Sequence, residues 1–389
     1  MEGFRTDGTV VPRRPRLMFL VTEDWYFWSH RLPMAQAAAA AGYDVHVATR
    51  VDRHGGLIEA AGFAVHPLAW RRSRNDPASV VRQVREVAAL FRRTRPDIVH
   101  NVSLKPVLVG GLAARLTGVP AVVHGINGLG TAFTATGWGA RARRFVITRL
   151  LRGVFGGEPR TVAVVQNDHD RQVLQDQRIV SADRIRVIRG SGVDPDQFQV
   201  LPEPAGPVTV AYVGRMLRNK GVDVVVEAVQ EVRRRGVDLR LLLAGKPDPD
   251  NPTSFDEDTV RRWAGLPGVE WLGHVEDVRR VWARAHIAVL MSVGGEGVPK
   301  SLLEAAACGR PVVASRVPGC TDITRDGESG VTVPVGDVRA LADALVHLAG
   351  DAALRVRYGE SARSLAAMGF SADEVGRRMV ECYRSLLVP

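Results

Sequence analysis

An α/β protein of two Rossmann-like, parallel-sheet domains facing across a deep cleft is the fold class this chain predicts, on three observations. Short apolar or β-branched runs alternate with amphipathic helical segments, the rhythm of parallel sheets covered by helices on both faces. The rhythm breaks at Leu201-Pro202-Glu203-Pro204-Ala205-Gly206-Pro207, where three prolines and one glycine in seven residues read as a linker. A second series of the same kind follows, and 389 residues suffice for both halves to bury a core.

In the first half, strands are predicted at 17–22, 45–49, 98–101, 121–124, 161–166 and 185–188, with helices between them. In the second, they are predicted at 208–213, 240–244, 269–272, 287–291, 312–315 and 330–333. Domains are therefore expected over 1–200 and 201–370. Ligands of open parallel sheets bind beyond the carboxyl ends of the strands, so the loops that follow these runs are where chemistry is sought.

Composition narrows the class. At 46% hydrophobic and 24% charged residues the chain reads as globular and soluble. Its three cysteines, Cys308, Cys320 and Cys382, are an odd number without metal-ligand spacing, which fits a reducing cytoplasm better than a disulfide framework. Arg13, Arg14 and Arg16 precede an apolar run of only 17–21, too short for a signal-peptide core, and no stretch approaches a bilayer span. The expected location is cytoplasmic, with any membrane contact peripheral. A net charge of +10 suits nucleic acid, an anionic membrane or a phosphorylated substrate. The basic residues lack interleaved stacking aromatics and a nucleic-acid motif, which argues against the first.

The most informative stretch is EGVPKSLLEAAACGRP, from Glu296 to Pro311. Pro299 marks a helix start, and Ser301 to Ala307 continue with strong helix formers. Glu296 then lies in the loop and Glu304 inside the helix, with the amides of Gly297, Val298 and Lys300 at the helix mouth, a setting that attracts phosphate. Upstream, Gly214-Arg215-Met216-Leu217-Arg218-Asn219-Lys220-Gly221 follows a strand and opens a helix, placing two cations at another mouth. Both arrangements suit a diphosphate.

With its context GEGVPKSLLEAAACGRPVVAS, the stretch resembles the E-x7-E signature of retaining family-4 glycosyltransferases of the GT-B fold, and the likeness runs along nearly the whole chain. The resemblance implies transfer of a sugar from a nucleotide-sugar donor to an acceptor hydroxyl with retention of configuration, in bacterial polysaccharide, lipid-linked glycan or glycoconjugate biosynthesis. It gives Arg215 and Lys220 the leaving diphosphate, Glu304 the ribose hydroxyls, and Glu296 the donor sugar. Gly214, Gly295, Gly297 and Val298 would frame the phosphates, and the loop of Gly245 the nucleobase. The base would be read near His274 and Val275 through backbone groups, with UDP expected. His124, at a strand end before a glycine-rich loop, matches the family histidine that touches the transferred sugar. A helix at 371–389 would return to the first domain.

On the acceptor side the run Trp25-Tyr26-Phe27-Trp28-Ser29-His30-Arg31-Leu32-Pro33 stands where relatives often carry a Gly-Gly loop, and resembles a subgroup of surface-glycan transferases. Ser29, His30, Arg31, Asn101, Lys105 and Asn127 are the acceptor-side candidates, with Ser103 beside them; burial in the core is the competing reading for the aromatic run. The segment 139–153 is basic and amphipathic, and either packs its apolar stripe on a sheet or lies on an anionic membrane. The acceptor is accordingly a glycan, a polyprenyl-diphosphate-linked sugar or a small molecule. No metal or other cofactor is expected: Asp248-Pro249-Asp250 fits the Asp-x-Asp pattern but sits in a proline-rich loop, a poor rigid clamp. A sugar-nucleotide epimerase and a non-catalytic nucleotide-sugar binding module are the rival functions.

Overall fold

A computed structural model describes every residue except 1–4, 7–8, 11–12, 71–75, 129–132, 134–136, 157–159, 296 and 388–389. The chain forms two compact units, one of Met1–Asn127, Gly137–Ile188 and Val375–Pro389, the other of Gly128–Thr136 and Arg189–Glu374. Ahead of the first sheet, β1 (Arg5–Thr6) and β2 (Thr9–Val10) pair antiparallel.

The sheet of the first unit holds β3 (Arg16–Glu23), β4 (Asp44–Arg50), β5 (Ala64–Pro67), β6 (Ile98–Val102), β7 (Ala121–Ile126), β8 (Thr161–Val165) and β9 (Ile185–Val187), in the order β5-β4-β3-β6-β7-β8-β9, all parallel. Central β3 shows why such strands read as unbroken apolar runs. Leu17, Phe19 and Val21 enter one core cluster while Met18 and Leu20 enter the other, so both faces are covered. Edge strand β5 lies outside the strands expected from sequence. None of its four residues is buried, so it leaves no apolar run to find.

The second unit carries β10 (Thr209–Val213), β11 (Arg240–Ala244), β12 (Val269–Gly273), β13 (Ile287–Leu290), β14 (Val312–Ser315) and β15 (Gly330–Val333), ordered β12-β11-β10-β13-β14-β15 and again parallel. These match the six strands read from sequence.

One boundary differs from expectation. The units change at residues 188–189, not at the proline-rich segment. That segment is packed within the second unit: Glu203 receives both prongs of Arg355 at 2.7 and 3.0 Å, and Pro202 accepts from Arg310 at 2.8 Å. Helix Ala372–Leu387 contributes Val375, Met379, Tyr383 and Leu386 to the core cluster of the first unit. Tyr383 Oη and His100 Nδ1 lie 2.7 Å apart in a hydrogen bond, and Gly376 packs so near Ala37 that a Cβ would stand 2.7 Å from the alanine methyl. All three cysteines are buried and free; burial pushes the thiol of Cys308 up to about 12 and that of Cys382 up to about 11, which makes both inert.

Candidate functional site

Strand order in the second unit reverses beside β10: the chain runs outward through β11 and β12, then crosses to β13 on β10's other side. Such a reversal opens a crevice at the carboxyl ends of the two strands that part there. The loop after β10 ends in the turn Arg218–Lys220, and the loop after β13 meets it, with Val293 N–H donating to Asn219 O at 3.0 Å and Ser292 Oγ donating to the same oxygen at 3.2 Å. Gly221, at φ +64°, makes this approach possible: a Cβ there would stand 2.1 Å from Met291 O. The structure therefore brings the Lys220 turn against the loop that carries Gly294, Gly295, Gly297 and Val298.

A second glycine contact ties in β11. Gly214 N–H donates to Ala244 O at 2.9 Å, and Gly245, at φ +142°, lies so close that a Cβ would stand 1.9 Å from Gly214 O. Gly245 N–H in turn donates to Gly273 O at 2.6 Å, which joins the loop of His274 and Val275 to the same end of the sheet. His274 is exposed there and Val275 half-buried. All the described donor-side residues thus come together at the carboxyl ends of β10, β11, β12 and β13.

Helix Lys300–Ala307 begins after Pro299, whose extended ψ of 121° makes it the N-cap rather than the first helical residue. Gly297, Val298 and Pro299 are buried as the chain enters it. Glu304 is 7% exposed and holds Lys300 at 3.3 Å, one turn back. Burial raises its carboxyl pKa, and the Lys300 charge only partly opposes that. Glu296 lies outside the described residues.

Arg215 is ion-paired with Asp248, whose own N–H donates to Ser254 Oγ at 2.8 Å. Sequence reasoning weighed Asp248 only as half of a metal-binding pair. Its carboxylate instead holds the guanidinium, a pairing that links loops 33 residues apart and leaves no local pattern.

In the first unit, residues at the carboxyl ends of β3, β6, β7 and β8 form a polar network centred on Asn127. Its Nδ2 donates to Tyr26 Oη at 3.1 Å and Ser103 Oγ at 3.2 Å, while its Oδ1 accepts from Arg31 and from Gln166 Nε2 at 3.4 Å. His30 stacks on Tyr26 at 4.3 Å, with Ser29 Oγ 2.6 Å from its Nδ1. Lys105 lies over Trp70 at 5.9 Å, its pKa lowered by burial against the opposing charge of Glu23. Tyr26 and Gln166 are members that the sequence reading missed; Gln166, a polar residue closing an apolar run at a strand end, is a recoverable signal.

Three acceptor-side or catalytic expectations need correction. His124 does not open onto this end of the sheet: it is 1% exposed, edge-on to Phe155 at 4.8 Å, and its Nδ1 sits 3.3 Å from Asn101 Nδ2. Burial takes its pKa down to about 3, so it is a neutral core residue. Asn101, fully buried beneath helix Leu104–Thr117, shares that environment. Arg31 is 2% exposed, with its pKa lowered by burial, and acts by anchoring Asn127.

Two mononucleotide-type α/β units, one with glycine-bound loops at a strand-order reversal, define a GT-B protein. The comparisons agree. The glycosyl transferases group 1 model matches residues 207–351, and the glycosyl transferase 4-like model matches residues 16–155. The capsular polysaccharide biosynthesis glycosyltransferase CapM of Staphylococcus aureus is 23% identical over 79% of this chain and 82% of its own. The N,N'-diacetylbacillosaminyl-diphospho-undecaprenol alpha-1,3-N-acetylgalactosaminyltransferase of Campylobacter jejuni is 23% identical over 95% and 98%. Among solved structures, Anabaena Alr3699/HepE in complex with UDP and glucose superposes with a TM-score of 0.77 at 16% identity, over 95% of this chain and 99% of that one. The chain belongs to the family-4-like glycosyltransferases of the GT-B fold and is a glycosyltransferase.

Proposed function

We propose that this enzyme moves a sugar from a UDP-linked donor to a hydroxyl of a glycan or polyprenyl-diphosphate-linked acceptor, with retention at the anomeric carbon, on the cytoplasmic side of the membrane. The observation that carries the donor assignment is the meeting of the Asn219–Lys220 turn with Ser292 and Val293 at the strand-order reversal, ahead of the helix that holds Glu304. A diphosphate placed there would meet one ammonium, one guanidinium and the first-turn amides of a helix. The Anabaena structure, with UDP and glucose, and the Campylobacter relative, named for an undecaprenol-diphosphate acceptor, support the substrate classes.

Within this reading Lys220 and Arg215 neutralise the leaving diphosphate as the glycosidic bond breaks, Arg215 exchanging part of its Asp248 contact for phosphate. Glu304 accepts from the ribose hydroxyls, and Glu296 steadies the donor sugar. The acceptor oxygen bonds to the anomeric carbon on the face the phosphate leaves, and the departing phosphate oxygen takes its proton. Ser29, His30, Lys105 and the Asn127 network receive the acceptor. Side-chain cations and helix amides supply the positive charge, so a divalent metal is not required.

The test is mass-spectrometric detection of product from a panel of nucleotide sugars with lipid-linked and soluble acceptors, with and without a chelator. Lys220→Ala should lower kcat/KM by roughly a hundredfold with folding intact, as expected for loss of a charge that stabilises the transition state. Full turnover in that variant would reject the donor site. Sugar interconversion without acceptor would indicate an epimerase, and loss of product on chelation would overturn the metal-free mechanism.

A further inference from the structure

Helix Trp138–Phe155 is apolar on two opposite faces. Thr148, Leu151, Val154 and Phe155 are buried against the first unit. The other face projects Trp138, Phe145, Val146 and Leu150, which are 88%, 67%, 54% and 49% exposed. Burying its inner face is enough to dock the helix, so packing does not account for the outer one. Helix Leu104–Thr117 lies alongside, tied by Arg115 donating to Gly153 O, and exposes Leu112 and Leu116 at 39% and 65%. Among the described residues, six of the fourteen exposed large apolar side chains therefore lie on these two neighbouring helices.

Charge identifies the occupant. The helix carries Arg141, Arg143, Arg144, Arg149 and Arg152 and no Asp or Glu. Arg141, Arg143 and Arg149 are exposed, interleaved with the apolar outer residues. A protein partner with an apolar patch would not call for that density of one sign, whereas a bilayer interface supplies anionic headgroups beside acyl chains. Arginine stems lie along the apolar surface while their guanidinium groups reach phosphate. No helix among the described residues is long and apolar enough to cross a membrane, so this contact lies in the plane of the interface.

We propose that the outer face of helix Trp138–Phe155, extended by Leu112 and Leu116, docks this enzyme on an anionic lipid bilayer. The full chain is to be sedimented with vesicles of phosphatidylcholine alone and of phosphatidylcholine mixed equally with phosphatidylglycerol. Partitioning to the mixed vesicles should be at least about tenfold stronger and should weaken with salt. The double variant Phe145→Ser/Leu150→Ser and the double variant Arg141→Glu/Arg149→Glu should each reduce it about tenfold or more. Both should retain the wild-type circular dichroism and wild-type turnover on a soluble acceptor, because every substituted side chain is exposed. No partitioning to mixed vesicles, or partitioning unchanged in both variants, would overturn the proposal. So would self-association in sedimentation velocity that Phe145→Ser/Leu150→Ser abolishes, since a second copy would then be what covers the face.

Discussion

Glu304 shows a residue held against its own stability. A carboxylate buried with one partner 3.3 Å away is under-solvated, and its raised pKa records the cost of the charged form. The folded protein binds this proton more tightly than the unfolded chain, so the contribution to stability is full below the unfolded carboxyl pKa and is lost as pH rises through the folded one. Glu304→Gln should therefore make the unliganded enzyme more stable than wild type at neutral pH, with the difference vanishing as pH falls into the carboxyl range. On the proposed donor reading, the same variant should lose roughly tenfold or more in donor kcat/KM, because an ionised acceptor for the ribose diol would be gone. Chemical denaturation across pH together with donor kinetics checks both; equal stability at all pH values would refute the first. The loops that meet at the carboxyl ends of β10 to β13 were legible because their signal is local: glycines, cations and a helix start within a few positions of a strand end. His124 was misread because a strand end tells how far along the sheet a side chain lies, not which face it takes, and successive residues alternate faces. Asn127, beyond the last strand residue, is where the network opens.

Helices and strands were legible where they bury an apolar run, and β5 was not because an edge strand without buried residues writes no such run. The loops that join elements are decided by backbone contacts that the sequence signals only through glycine. Gly221 is the clearest case, left-handed at φ +64° and pressed on Met291 O between the Lys220 turn and helix Val222–Arg234. Gly221→Ala should destabilise the second unit by about 2 kcal/mol or more, combining left-handed strain with a backbone clash. It should also raise the donor KM, because relief of the clash moves the β10 loop off the β13 loop. Thermal unfolding alongside donor titration tests this, and a variant with wild-type melting and KM would contradict the described contact.

At the scale of the molecule, the unit boundary was misplaced because proline richness was taken for freedom, while Glu203 and Pro202 are clamped by Arg355 and Arg310. The return of helix Ala372–Leu387 is carried by Tyr383, fully buried between Tyr43 and His100. Tyr383→Ala should cost about 3–5 kcal/mol, as truncation of a large buried aromatic does, and Tyr383→Phe about 1–3 kcal/mol by leaving His100 without its partner. Both losses should appear in the unfolding of the first unit and leave that of the second unchanged; two-domain calorimetry separates them. Helix Ala372–Leu387 follows every strand of the second unit in the chain. During synthesis the nascent amino-terminal half must therefore wait on the ribosome with its hydrophobic floor open, and translation of the second unit has to finish before the earlier half can close.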